Sequence, residues 1–258
     1  MAILISNTGL GGGLKVYGNT TGGFKARYSS IVTSGLVLNL DAGNPLSYPG
    51  TGTTWTDLSG NGNNGTLVNG PTYSSANGGT IIFDGTNDYV GFTNPSTIRN
   101  QNFTVSIWFN PGIQNATVIT IIDFDHVSSQ GWVIQSEDAT TNRYYYFAWY
   151  DGTQYQPTGG GGFGSGKGIQ ITTSAWQNIT YSKNGTTLFG YKNGSQVYSG
   201  TASSGNVFYL SNRGMQIAAQ SLSRNFNASI PNALIYNRPL SDEEVLQNYN
   251  AQKSRFGL

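Results

Sequence analysis

The sequence predicts an all-β protein: a jellyroll sandwich of two antiparallel sheets, with an extended N-terminal arm and a short C-terminal helix. Three observations predict it. From Leu36 onward, short apolar runs recur between Gly- and Asn-rich turns, the pattern of a sandwich or jelly roll. Asn184-Gly185 and Asn193-Gly194 each lie between two such runs, which is the strongest short hairpin signal a sequence carries. The only convincing helix stands at the end of the chain, behind a long stretch of strand-like sequence.

The arm is read over residues 1–34. It holds Gly11-Gly12-Gly13, Gly22-Gly23 and short apolar pieces, Ile3 to Ile5 and Leu14 to Tyr17, with no sustained period. This composition suits an extended segment with a short strand or two. Its apolar residues Ile3, Ile5, Leu14 and Tyr17 are the expected docking contacts. The jellyroll is expected over 35–258. Its runs are Leu36–Leu40, Thr80–Phe83, Tyr89–Phe92, Phe103–Phe109, Val118–Phe124, Trp132–Gln135 and Tyr144–Tyr150. Ile169–Thr172, Gln177–Ser182, Leu188–Lys192, Val207–Leu210, Gln216–Ala219 and Ala233–Asn237 continue the series. In Phe103–Phe109 side chains alternate, so Phe103, Val105, Ile107 and Phe109 share one face, the core face. The helix is expected at about 241–253. Ser241 and Glu244 stand at capping-box spacing, and Leu240 with Val245 forms the matching hydrophobic staple. Leu246 and Tyr249, three apart, share a helix face.

Composition narrows the class. The 258 residues suit one all-β sandwich. Charged residues make up 10% of the chain against a typical ~25%, so Asn, Ser, Thr, Gln and Tyr must cover the surface. Such a surface suits packing against other proteins or handling neutral ligands. A net charge of +1 with scattered bases supplies no phosphate-neutralising field, which argues against nucleic acid as a partner. There is no cysteine, so no disulfide framework and no thiolate chemistry. Met1-Ala-Ile-Leu-Ile lacks the basic region and long apolar core of a secretion signal, and no apolar run reaches the ~20 residues of a membrane span. The expectation is a protein made in the cytoplasm with no membrane partner.

Four phrases then occur in order: GTIIFDGTNDYVGF (79–92), NFTVSIWFNP (102–111), WQNITYSKNGTTLFGYKNGSQV (176–197) and FNASIPNALIYNRPLSDEEV (226–245). Together they resemble the laminin-G-like branch of the concanavalin A-type jellyroll, over about residues 35–250. The flanking stretches 35–74 and 248–257 are similar to laminin-G-like proteins of tailed bacteriophages, where they are virion components. The resemblance implies a non-enzymatic virion structural protein, a capsid decoration or a tail or fibre part, docked through its arm. Its partners would be other virion proteins, in several copies or as a homo-oligomer. The alternative it implies is a carbohydrate-binding module for host surface polysaccharide. One departure stands out: the family's closing strand often carries an acid where this chain has Pro231-Asn232.

Catalysis finds little support. Glycoside hydrolysis needs two carboxyl groups flanking the bond, at most ~10 Å apart. Only three glutamates exist, and Glu243 and Glu244 belong to the helix start, leaving Glu137. Asp123 and Asp125 lie two apart on one strand face with no companion glutamate. His126 is the sole histidine, so one chain offers no multi-His metal site and no nucleophile motif beside it. Gly161 to Lys167 formally fits a phosphate-loop pattern, but Gly168 follows in place of Ser or Thr and a strand in place of a helix. The resemblance implies that a calcium ion can be held by Asp84 and Asp88, or by Asp123 and Asp125, as hard oxygen donors. Against this, Asp84-Gly85 is also a simple turn.

Aromatics give the last candidate. In YYYFAWY, Tyr144, Tyr146 and Tyr150 face one way while Tyr145, Phe147 and Trp149 face the other. One set is core. The other, with Tyr155 and the glycine loop 159–168 beside it, is a candidate glycan platform or subunit interface, since Tyr suits both. Trp55, Trp108 and Trp176 are assigned to the core.

Overall fold

The computed structural model describes residues 15–19, 22–27, 30–93, 95–114, 118–124, 130–136, 144–156, 168–209, 214–219 and 224–258. Its strands are β1 (Lys15–Asn19), β2 (Gly22–Arg27), β3 (Leu36–Asp41), β4 (Thr54–Trp55), β5 (Gly65–Val68), β6 (Thr72–Ser74) and β7 (Thr80–Asp84). Then come β8 (Tyr89–Phe92), β9 (Phe103–Pro111), β10 (Ile119–Phe124), β11 (Trp132–Ser136), β12 (Tyr144–Tyr150) and β13 (Tyr155–Gln156). The last are β14 (Ile169–Gln170), β15 (Gln177–Asn184), β16 (Thr187–Lys192), β17 (Ser195–Thr201), β18 (Met215–Ile217) and β19 (Asn227–Tyr236), followed by helix α1 (Asp242–Gln252). Among the described residues, no helix is long and apolar enough to cross a membrane.

Two antiparallel sheets pack face to face. The first runs β17-β16-β15-β9-β19-β7-β6, with β3 also paired to β19. The second runs β13-β12-β11-β10-β18-β8-β5-β4, with β14 also on β12. Neighbours far apart in sequence, such as β9 and β19, pair because the chain crosses repeatedly between sheets, as a jellyroll does. β1 and β2 pair with each other, Lys15 opposite Arg27, and among the described residues they join neither sheet.

The core lies between the sheets. Phe103, Val105, Ile107 and Phe109 of β9 face it, as the alternation predicts, and are fully buried. Trp132 is its centre. Its ring stacks on Phe103 at 5.3 Å, Phe147 at 5.5 Å and Phe124 at 5.7 Å, so three strands of one sheet and one of the other meet there. Trp55 is likewise fully buried in this core.

The opposite face of β9 is buried too, because α1 folds onto it. Trp108 stacks on Tyr249 at 5.5 Å and on Phe256 at 4.4 Å, and its Nε1 donates to Gln252 Oε1 at 2.8 Å. Trp108 therefore belongs to the layer under the helix. Trp176, assigned to the core from sequence, is only half-buried: it lies against Phe256 at 4.8 Å at the edge of that layer. The capping box at Ser241 and Glu244 forms, and Leu240 and Val245 are both buried in one cluster. The buried helix face is corrected, however. Leu246 is exposed, while Val245 and Asn248 point inward. Asn248 is tolerated there because Val32 N donates to its Oδ1 at 2.8 Å and its Nδ2 donates to the Tyr236 hydroxyl at 3.0 Å. The same contacts hold residues 30–34 to the body: Tyr236 donates to Val32 O at 2.9 Å and Gln247 to Ser30 O at 3.1 Å.

Turn chemistry fixes the hairpins. Asn193 and Gly194 both adopt positive φ, 51° and 77°, between β16 and β17, as a I′ turn requires. At the other pair the turn is shifted by one residue: Asn184 pairs with Thr187, and Gly185 takes the first central position at φ 56°. Pro231 stands inside a central strand without breaking it. It occupies the bulge where β19 changes partner from β7 to β3, and its carbonyl accepts from Ala42 N at 2.8 Å.

Two expected strands are displaced or lost. Gln216–Ala219 becomes Met215–Ile217 because Ala218 turns to φ 69° and donates instead to Ile121 O. Residues 207–209 of Val207–Leu210 form no strand. Gln101 takes both backbone groups of Val207, donating to its O at 3.0 Å and accepting from its N at 2.6 Å.

Candidate functional site

β12 divides its aromatics as its alternation predicts. Tyr145, Phe147 and Trp149 enter the core. On the outer face Tyr144 and Tyr150 are half-buried, while Tyr146 and Ala148 are buried. The Tyr146 hydroxyl accepts from Gln135 Nε2, and Gln135 Oε1 accepts from Arg224 Nη1 at 2.9 Å. This polar chain occupies the middle of the second sheet's outer face. Asp123 of β10, in register with Val133 and Gln216, lies buried beside it.

The structure gathers aromatics at one end of that strand. Tyr150 and Tyr155 meet edge to face at 5.2 Å, and Tyr150 meets Phe208 at 6.5 Å. Phe208 is 42% exposed and Tyr150 and Tyr155 are half-buried, so the three form an open aromatic rim. Tyr144, six residues back along the strand, stands about 20 Å away at the usual rise, and Tyr146 is under cover. Two of the four expected tyrosines thus come together. Phe208, which the strand expectation for 207–210 concealed, joins them.

Rigid backbone underlies the rim. The turn between β12 and β13 closes around Asp151. Its Oδ1 accepts from Thr153 N and Oγ1 at 2.8 Å each and from Gln154 N at 2.9 Å, and its Oδ2 accepts from Gln156 Nε2 at 2.7 Å. Burial alone would raise this carboxyl, but those donors outweigh it and lower its pKa to about 2. Phe208 N donates to Tyr150 O at 2.8 Å, and Gly131 N donates to Phe208 O at 2.7 Å. Preorganised aromatics of this kind contact a partner at little entropic cost.

The carboxylate candidates are arranged otherwise. Asp84 Oδ1 accepts from Thr86 N at 2.7 Å, and Asp88 Oδ2 accepts from Asp84 N at 3.1 Å, so both carboxylates brace the turn between β7 and β8. Burial raises the Asp88 carboxyl above its ordinary range. Among the described residues, no three of His, Cys, Asp and Glu converge as a metal site would require. Glu244 is held in a two-pronged pair by Arg238 at 2.7 and 2.8 Å, part of the helix start. Ile3, Ile5, Leu14, Asp125, His126, Glu137 and the 161–167 loop lie outside the described residues; Tyr17 falls in β1.

A family model described as the concanavalin A-like lectin/glucanases superfamily, laminin-G type, matches residues 84–246. The chain belongs to this superfamily. No curated protein sequence matches it. Solved structures share the fold. The binding domain of botulinum neurotoxin serotype D is 15% identical, with a TM-score of 0.63 over 86% of this chain and 53% of that one. The type G receptor-binding domain is 17% identical, with a TM-score of 0.59 over 85% and 52%. The neurotoxin DC binding domain, solved with rat synaptotagmin II, is 17% identical, with a TM-score of 0.61 over 86% and 52%. The chain spans about half the length of each, and at these identities the likeness is one of fold.

Proposed function

We propose that this chain is a non-enzymatic structural component of a bacteriophage virion, docked on capsid or tail through its N-terminal segment with its laminin-G-like jellyroll displayed outward. The observation that carries this reading is the separateness of β1 and β2. Among the described residues they pair only with each other, whereas both jellyroll sheets form without them. A hairpin hydrogen-bonded to neither sheet of its own jellyroll suits engagement of a neighbour's sheet edge. The phage setting rests on the phrases that resemble virion proteins. A binding role without catalysis is supported by Asp84, Asp88, Glu243, Glu244 and Asp41, which brace turns, cap the helix or pair with arginine.

The test is capture of particle components by the full chain and by a version lacking residues 1–29. The cut stops there so that Val32 keeps its bond to Asn248. Deletion-sensitive capture of a capsid or tail protein is expected. Equal capture by both versions would refute docking through the arm.

A second reading is favoured by the rim. Tyr150, Tyr155 and Phe208 offer apolar ring faces beside polar groups, which suits stacking on the rings of a host surface polysaccharide. Binding to an array of neutral-hexose oligosaccharides, lost in Phe208→Ala and kept without residues 1–29, is the expected result. Array binding unaffected by Phe208→Ala would rule out the rim. Calcium at Asp84 and Asp88 would be a supplement to either role, and unchanged melting with excess Ca²⁺ or a chelator would discard it.

A further inference from the structure

We propose that Lys183 is the positioning residue of the aromatic rim, and that the segment 202–209 it anchors determines the specificity of that surface. This rests on the reading of the rim as a binding surface. Lys183 falls near the end of β15, in phase with the core residues Ile179 and Tyr181, and is 1% exposed. A lysine there is unusual, because an ammonium taken out of water must find compensating partners. The two ion pairs formed among the described residues, Arg238 with Glu244 and Arg255 with Asp41, do not involve it. Its compensation comes from carbonyls and a ring. Nζ donates to Gln101 O at 2.6 Å, Gly185 O at 3.1 Å and Gly205 O at 2.5 Å, and lies 4.9 Å from the Trp149 ring centre. Three donors meet three acceptors.

Those acceptors belong to three different loops, so the ammonium gathers them at one end of the sandwich. A methionine would fill the same space and gather nothing. Gly205 is seated so closely on the Gly185 turn that a Cβ would lie 2.6 Å from its carbonyl carbon. From there the tethering runs in steps to the rim. Gln101, whose carbonyl Lys183 holds, grips both backbone groups of Val207. Tyr209 donates to Asn100 O at 2.9 Å, and Ser203 N donates to Gln156 Oε1 at 3.2 Å. Phe208 sits between these tethers. The two halves of the rim are thus built differently. Tyr150 and Tyr155 stand on a strand ladder, whereas Phe208 lies outside any strand, its N–H donating to Tyr150 O and its carbonyl accepting from Gly131 N, and the clamp fixes the segment on either side of it.

The test combines amide hydrogen exchange with binding to the neutral-hexose array, on the full chain. In Lys183→Met, exchange at Val207 and Phe208 is expected to accelerate at least tenfold while Ile107 and Ile179 keep their protection, and any array binding by the native chain should fall at least fivefold. Gln101→Ala, a change at an exposed side chain, should reproduce the local acceleration and decides the matter if Lys183→Met does not fold. Unchanged exchange at Val207 and Phe208, or uniform acceleration through the core strands, would overturn the proposal. If Phe208→Ala leaves array binding intact, the rim reading fails, and exchange still decides whether Lys183 positions the segment.

Discussion

The outer faces of the two sheets put aromatic residues to opposite uses. On the first sheet Trp108 is enclosed: α1 and the turn after it bring Tyr249 and Phe256 onto its ring and Gln252 onto its N–H. On the second sheet Tyr150, Tyr155 and Phe208 touch one another and stay open. Residue type does not separate the two cases. A capped amphipathic segment folding back onto the sheet does, and only the first sheet has one among the described residues. Aromatics thus cement the fold on one side, while at one end of the other Tyr150, Tyr155 and Phe208 remain available to a partner.

Substitutions should split along this line. The largest expected effect is at Trp108→Ala, which strips the contact layer of the helix and should cost about 3–5 kcal/mol in urea unfolding. A loss below about 1 kcal/mol would mean that the helix layer is dispensable. Ser241→Ala removes the hydroxyl that caps Glu244 N and should cost about 1 kcal/mol, read as a lower melting temperature. At the rim, Phe208→Ala and Tyr155→Ala should shift stability by no more than about 0.5 kcal/mol. If the rim variants proved as costly as Trp108→Ala, the contrast between the faces would collapse.

Two pH responses sharpen the comparison. Burial lowers the Lys183 ammonium from 10.5 to about 8, so between those values the folded chain binds fewer protons than the unfolded one. Stability contributed by this group should therefore rise with pH across that window, and Lys183→Met should flatten the rise in denaturant midpoints. Asp151 shifts the other way, from 3.8 to about 2. Its stabilisation is present above 3.8 and is lost as pH falls toward 2, a dependence that Asp151→Asn should remove.

Much of this was legible in the sequence, for reasons that particular residues make plain. β8 and β12 appear with their expected bounds because their apolar periods are strong and turns flank them. β17 is signalled only by the Asn193-Gly194 turn before it, because SQVYSGT is a polar, mostly exposed edge strand with no alternation of its own to read. β4 and β13, two residues each, carry too little pattern for any period to show. The inward face of α1 is hidden from sequence because Asn248 is buried by virtue of two partners, Val32, 216 residues away, and Tyr236, 12 residues away. The same limit hid Phe208. An apolar run at 207–210 reads as strand, and only the reach of Gln101 across 106 residues converts it into a presented loop.

The most direct test of the proposed virion docking is co-sedimentation with bacteriophage particles. Full-length chain, the version without residues 1–29, and the Tyr155→Ala/Phe208→Ala double variant would be compared at equal concentration. The account predicts that the rim variant sediments with particles as the native chain does, while the truncated version stays in the supernatant. Particle association that survives the truncation and disappears in the rim variant would contradict it.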